Sequence, residues 1–298
     1  MRDTYKSLPH HDCHVNCLAV ANDMSTLAVA GNPLVRFYDL NAAAKDNPQP
    51  LVIYEGHTNN VTSVGFEYWG RWFYTGSEDA TVKLWDCRCS GYQLCHDNLF
   101  SAIHSVVLHP NENILVFGDQ AGQISFWDVT ANKISQRISP ERGISIKTVA
   151  VSPDAATVAA ACNSGTLHML TCKNDGIMEP SKKVIAHNGQ YVLSCRFSPQ
   201  AQYLATTSSN GTCNVWKNGF DGFFLGTTMA GHTSWVWDCA FSTDSSYILT
   251  ASSDRTCKLW DINTGQKLLS YEGHTKAITS IVLLDFQQDV EVDSSHCD

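Results

Sequence analysis

The sequence predicts an all-β protein assembled from one small unit repeated around a ring. Three observations predict it. Short aromatic endings recur along the 298 residues: FYD at 37–39, LWD at 84–86, FWD at 126–128, VW at 215–216 and LWD at 259–261, with Leu170 in a degenerate copy. The residues at the aromatic position are Tyr38, Trp85, Trp127, Leu170, Trp216 and Trp260, spaced by 47, 42, 43, 46 and 44. Between them apolar and polar residues alternate with period two, the mark of half-buried strands, and no stretch reads as a long amphipathic helix. A constant period of this length means that each unit packs on its own copies.

Within a unit the strands follow in a set order. A Gly-His or Ala-His pair comes first: Gly56-His57, Ala186-His187, Gly231-His232 and Gly273-His274. An alternating run such as VTSVGF at 61–66 follows, then a turn such as SPD at 152–154 or STD at 242–244. A second β-prone run, YILTAS at 247–252 for example, leads through a tight turn with Asp or Asn into a third run ending in Trp. A fourth run, such as PLVIYE at 50–55, reaches the next Gly-His. Four short strands in about 40–45 residues, marked by Gly-His and Trp-Asp, are the WD-repeat pattern of a β-propeller. Recurrence makes the pattern specific, since one copy alone would carry little.

Units end at Asp39, Asp86, Asp128, about Thr171, Trp216 and Asp261, which makes six. After Asp261 come an outer strand, KLLSYE at 267–272, the pair Gly273-His274, and one inner strand, AITSIVLL at 277–284. The N-terminus offers one outer strand, around residues 3–8. The expectation is a propeller of the seven-bladed type spanning 1–284, with six complete blades and an incomplete seventh closing blade, followed by an acidic tail at 285–298. The closing blade's two middle strands have no evident source, so the chain reads as N-terminally truncated or as an imperfect gene model. DVEVD at 289–293 is a weaker source of a substitute strand.

The repeat also decides how the tempting polar clusters are read. His57, Asp79, Trp85 and either Thr75 or Ser77 resemble a catalytic set, as do His232, Asp254, Trp260 and either Thr250 or Ser252. A catalytic site would occur once, whereas these sets recur with the blades. They are expected to be buried hydrogen-bonded tetrads, in which each polar atom finds the partner that burial demands. Ala121, Ser164 and Asn32 stand where Asp79 and Asp254 stand, so their blades are expected to rely on apolar packing.

Composition excludes other classes. With 43% hydrophobic and 16% charged residues the chain can fill a large core. A net charge of -9 without a basic run argues against nucleic acid and anionic membranes as partners. The apolar stretch at 278–284 is far short of the roughly 20 residues of a membrane-spanning helix. The N-terminus has no apolar run of signal-peptide length, so a cytoplasmic protein is expected. The twelve cysteines include no CxxC pair, and free thiols are expected. Cys213 and Cys257 lie where Val82 lies, and Cys195 and Cys239 where Val64 lies, as small hydrophobes on inward strand faces. Lying on separate blades, these cysteines predict no metal site, and no cofactor or small-molecule substrate is expected.

Six segments carry a closer resemblance: VRFYDLN with the later NPQPLVIYEG; SVGFEYWGRWFYTGSEDATVKLWD; LHPNENILVFGDQAGQISFWD; AHNGQYVLSCRFSPQAQYLATTSSNGTCNVW; and SWVWDCAFSTDSSYILTASSD. They resemble the small WD-repeat subunits of target-of-rapamycin (TOR) kinase complexes, from about Val15 to Ile281. The resemblance implies a non-catalytic scaffold that sits on the TOR kinase catalytic domain in both kinds of TOR complex, supporting growth signalling and, in the second complex, the actin cytoskeleton. Another scaffold class, a G-protein β-like protein or a ubiquitin-ligase substrate receptor, is the alternative. The first would need an N-terminal coiled coil, the second an adaptor-binding module, and neither is evident. A propeller hydrolase with an axial metal would need convergent, unrepeated His or acidic residues.

The partner surface is expected at the end of the ring that holds the Gly-His loops. Val61, Val192 and Val236 start inner strands in register, preceded by Asn60, Tyr191 and Trp235, while Trp237 follows Val236. Because strand neighbours alternate, Trp235 and Trp237 cannot share a face with Val236. If Val236 packs inward, both tryptophans point toward the rim or channel mouth, the competing reading being core packing. Glu78 and Ser253, beside the turn residues Asp79 and Asp254, complete the expected partner-binding set of Trp235, Trp237, Tyr191, Asn60, Glu78 and Ser253.

Overall fold

In the computed structural model, residues 14–41, 49–89, 91–97, 99, 101–173, 177–220 and 222–284 are described. Each repeat folds as one antiparallel four-stranded sheet whose strands pair in chain order. Blade 1 comprises Cys17–Val20, Thr26–Ala30, Val35–Asp39 and Val52–Tyr54; blade 2 comprises Val61–Phe66, Trp72–Ser77, Val82–Asp86 and Tyr92–His96. Blade 3 is Ile103–Leu108, Ile114–Asp119, Ile124–Asp128 and Lys133–Ile138; blade 4 is Ile146–Val151, Thr157–Cys162, Thr166–Cys172 and Met178–Ile185. Blade 5 is Val192–Phe197, Tyr203–Ser208, Thr212–Lys217 and Phe224–Ala230; blade 6 is Val236–Phe241, Tyr247–Ser252, Cys257–Asp261 and Lys267–Tyr271. No helix is present among the described residues, and none is therefore long and apolar enough to cross a membrane.

The first strands of successive blades lie side by side around a central channel. Register breaks recur at equivalent places: near the start of the inner strand, as between Val61 and Ser63 and between Val236 and Asp238, and just before the aromatic position, as between Leu84 and Trp85 and between Leu259 and Trp260. An extra residue at such a point increases local twist, which each blade needs to face its neighbours. The core lies between blades. Phe37 and Tyr54 of blade 1 pack on Phe73 and Trp85 of blade 2, where Phe73 and Trp85 stack at 5.7 Å. Cys195, Cys213 and Cys239 are buried in the cores that join blades 4 to 5 and 5 to 6, as small hydrophobes should be.

The outer face of blade 6 is covered differently. Ile278 and Ile281 pack on Ala240 and Ala251. The expected inner strand at 277–284 does not form: this segment is no ladder strand, because it has no paired neighbour among the described residues and is held by isolated bonds instead. The Ile278 N–H donates to the Ser252 carbonyl at 3.1 Å, and the Thr279 hydroxyl to the Val15 carbonyl at 2.6 Å. Ser280 joins the two sides: the Leu18 N–H of blade 1 donates to its Oγ at 3.2 Å, and that hydroxyl donates to Asp238 Oδ2 of blade 6 at 3.0 Å. Asp238 also accepts from Ser194 Oγ, the Arg196 guanidinium, the Cys239 N–H and the Ile281 N–H. The outer strand expected near residues 3–8 and the tail at 285–298 lie outside the described residues.

Removing this carboxylate strands donors from blade 5, blade 6 and the closing segment together. Asp238→Ala should lower the unfolding free energy by about 3 kcal/mol or more, since one hydrogen bond to a charged group contributes about 1.5–3 kcal/mol and several end here. A urea denaturation midpoint unchanged from the parent would show that the closing segment does not depend on it.

Candidate partner-binding face

Two complete tetrads stiffen one end of the ring. In blade 2, His57 Nδ1 lies 2.8 Å from Asp79 Oδ2 and Nε2 lies 2.7 Å from Thr75 Oγ1, while the Trp85 indole N–H donates to the same hydroxyl at 2.9 Å. Blade 6 repeats it: His232 Nδ1 to Asp254 Oδ2 at 2.8 Å, His232 Nε2 to Thr250 Oγ1 at 2.8 Å, and Trp260 Nε1–H to Thr250 Oγ1 at 2.8 Å. The strand hydroxyl is therefore Thr75 or Thr250. Ser77 and Ser252 instead donate to carbonyls of the preceding loop and accept from the Asp79 and Asp254 N–H groups. The carboxylate can only accept, so a hydrogen on His Nδ1 faces the aspartate, and in the neutral imidazole Nε2 can then accept from the threonine hydroxyl, which itself accepts from the indole N–H.

The electrostatics follow from this wiring. Burial alone would raise the Asp79 carboxyl, but hydrogen bonds from His57, Thr81 and the Thr58 N–H hold it well below the usual carboxylate range. Asp254 behaves likewise, with bonds from Thr256 and His232 outweighing burial. Blade 5 holds a third set that lacks the acid. His187 Nε2 lies 3.0 Å from Thr206 Oγ1 and Trp216 Nε1–H donates to Thr206 at 3.0 Å, but Asn210 occupies the turn. With no carboxylate opposite, burial lowers the His187 imidazole from 6.5 to about 4.

Residues just before the inner strands ring the channel mouth at this end. The same backbone bond seats five of them: Glu78 N–H to Asn60, Gln120 to Ala102, Asn163 to Ser145, Ser209 to Tyr191 and Ser253 to Trp235. Two neighbours in this ring are aromatic. Tyr191 is 49% and Trp235 41% exposed, their rings meeting edge to face at 6.2 Å. Trp237 lies 5.4 Å beyond Trp235, and its indole N–H donates to Ser253 Oγ at 2.6 Å. Val236 is fully buried while Trp235 is exposed and Trp237 half-buried, so both tryptophans turn away from the core as expected, although the register break between Val236 and Asp238 interrupts strict alternation at Trp237. Asn60 and Glu78 pair with each other at 2.9 Å on blade 2. The structure thus unites Tyr191, Trp235, Trp237 and Ser253. Glu78 and Trp237 both border the channel, a cavity of about 790 Å³, from blades 2 and 6.

The WD domain, G-beta repeat family matches residues 2–39, 48–86, 178–217 and 224–261. The chain is 40% identical over 285 residues to the target of rapamycin complex subunit wat1 of Schizosaccharomyces pombe, covering 95% of this chain and 89% of that protein. It is 41% identical to the target of rapamycin complex subunit LST8 of Bos taurus over 94% of this chain and 88% of the relative. The Saccharomyces cerevisiae subunit of that name is 38% identical, covering 94% and 91%. The chain belongs to the LST8 family of WD-repeat proteins.

In this LST8-family propeller the repeat matches leave out 87–177, most of blades 3 and 4, where the tetrads are missing. In blade 3, Phe117 replaces the tetrad threonine, and the Trp127 indole turns to Asn132 at 3.3 Å, consistent with the expected reliance on apolar packing. Blade 4 departs from that expectation. Glu141, carried by the loop before its inner strand, contacts Thr166 Oγ1 and His168 Nε2 at 3.3 Å each and Lys183 Nζ at 3.2 Å. Sequence reasoning also missed Tyr68 and Trp69, which stand 60% and 67% exposed at the opposite end of the ring. They meet edge to face at 5.1 Å, with the Arg71 guanidinium 6.0 Å from the Trp69 ring. The signal was the bulky pair set directly before Gly70 in a turn.

Thr250→Val removes the acceptor of Trp260 and the partner of His232 at once, so a loss of about 2–3 kcal/mol is expected in urea denaturation. Acid should act through His187. Below pH 6.5 the unfolded imidazole takes up a proton that the folded one refuses until about pH 4. The unfolded state then binds more protons, so stability falls as pH drops through that window, by on the order of 3 kcal/mol. His232, shifted in the same direction by burial, adds to it. His187→Gln should flatten the slope of unfolding free energy against pH between these values.

Proposed function

We propose that this chain is a non-catalytic, cytoplasmic scaffold subunit of TOR kinase complexes, and that the channel-mouth face carrying Tyr191, Trp235 and Trp237 seats the kinase catalytic domain. The proposal rests first on the family, whose members in fission yeast, cattle and budding yeast are named as target of rapamycin complex subunits. The observation that supports this face is the exposed aromatic cluster on a rim braced by tetrads. Rigid, part-exposed Trp and Tyr side chains bind with little loss of conformational freedom and are enriched among interface hot spots. Asn60 and Glu78 extend the surface across the channel with a polar edge, and Ser253 fixes the Trp237 ring. A non-enzymatic role fits the tetrads, whose His and Asp groups are committed to one another rather than directed at a substrate.

A Trp235→Ala, Trp237→Ala double variant should lose TOR kinase in a pull-down, with each truncation costing about 2 kcal/mol or more at a hot spot. A Tyr68→Ala, Trp69→Ala variant, altered at the opposite end, should retain it. Circular dichroism and a thermal melt establish that both are folded. Full recovery of kinase by the folded Trp235/Trp237 variant would refute the assignment of this face.

A further inference from the structure

Blade 4 breaks the repeat at three places at once. Glu141 stands in the loop where blades 2 and 6 carry Gly-His. Cys162 takes the place of Ser77 and Ser252, and His168 that of Lys83 and Lys258. A carboxylate oxygen of Glu141, Cys162 Sγ and a ring nitrogen of His168 all lie within 4.8 Å of one another. Cys162 and His168 are buried, and Glu141 forms a partly exposed lip. The recurring clusters of this molecule are explained by packing, whereas this one occurs once among the described residues. We propose that Glu141, Cys162 and His168 form a binding site for zinc, with a water molecule entering past Glu141 as the fourth ligand.

The chemistry suits that ion. One thiolate, one imidazole and one carboxylate form the mixed sulfur, nitrogen and oxygen set that zinc accepts in a tetrahedral shell. Metal bonds of ~2.0–2.1 Å at the tetrahedral angle place nitrogen and oxygen ligands about 3.3 Å apart. His168 Nε2 and Glu141 Oε2 are already 3.3 Å apart. Three ligands with one open side leave room for water. On binding, the zinc–sulfur bond replaces the S–H bond, and the proton leaves to solvent past Glu141. No oxidation or reduction is involved. Thr166 is a positioning residue, its hydroxyl bonded to Glu141 Oε2 at 3.3 Å. The Lys183 ammonium, 3.2 Å from the same oxygen, competes with the metal, but its side chain is half exposed and can withdraw into water.

The test uses the whole purified chain, stripped of metal and titrated with Co²⁺ as the probe. One equivalent should produce a near-ultraviolet thiolate-to-cobalt charge-transfer band and the visible bands of a four-coordinate site, and Zn²⁺ should bleach both. Cys162→Ser should abolish the charge-transfer band, which matters because the chain has twelve cysteines. Glu141→Gln, at the lip where folding depends on it least, should weaken Co²⁺ binding by at least about tenfold, the loss seen when even an outer partner of a ligand is removed. Absence of the band in the parent chain, its persistence in Cys162→Ser, or unchanged affinity in Glu141→Gln would each overturn the proposal.

Discussion

A ring of sheets holds together only if its ends are joined, and here one carboxylate gathers much of the junction. Asp238 gathers donors from blade 5, from its own blade and from the segment that follows blade 6. Ser280 then carries the connection to the Leu18 amide of blade 1. A buried acceptor that serves this many donors gains from each and is costly to lose, because every donor would be left unmatched. The isoleucines beside it, Ile278 and Ile281, shield the face of blade 6 with few residues. Polar closure and apolar cover thus come from the same short stretch of chain.

Rigidity at the channel mouth has a related origin. In blades 2 and 6 each tetrad ties the loop before the inner strand to the second strand, the following turn and the aromatic end of the third strand. The residues that ring the mouth are therefore fixed from below by side chains and from the side by the recurring backbone bond. Blade 5 keeps the His–Thr–Trp part with Asn210 in place of the acid. Tyr191 and Trp235, from blades 5 and 6, project from the sector where these supports are adjacent.

Strand order, blade boundaries and the tetrads were legible in the sequence because they repeat: alternation located Val61–Phe66 and Val236–Phe241, and recurrence identified His57 and His232 as structural. Parity with Val236 gave the outward placement of Trp235 and Trp237, but not the register break between Val236 and Asp238 at which Trp237 sits. What could not be read depended on contacts without a period. Nothing in the spacing told Thr75 from Ser77, since both hydroxyls lie on one strand and only the fold shows which meets the indole. The cluster of Glu141, Cys162 and His168 was hidden because its members come from a loop and two different strands. The segment at 277–284 has the alternation of a strand, but a strand also requires a paired neighbour, which alternation cannot supply.

Blades 3 and 4 have a consequence for how the molecule would open. They lack the full His–Thr–Trp–Asp wiring, and the buried Ser101 Oγ and Ser145 Oγ in the loops before their inner strands find no protein partner among the described residues, and neither do His96 Nε2 at the end of blade 2 and Ser245 Oγ in a turn of blade 6. Local stability follows the density of such ties, so blades 3 and 4 should open more readily than the tetrad-bearing blades 2 and 6. Amide protons of the Ile114–Asp119 and Thr157–Cys162 strands would then exchange with solvent deuterium ahead of those in Trp72–Ser77 and Tyr247–Ser252. Blades 3 and 4 form the more compliant sector of the ring, and the aromatic rim stands outside it on blades 5 and 6.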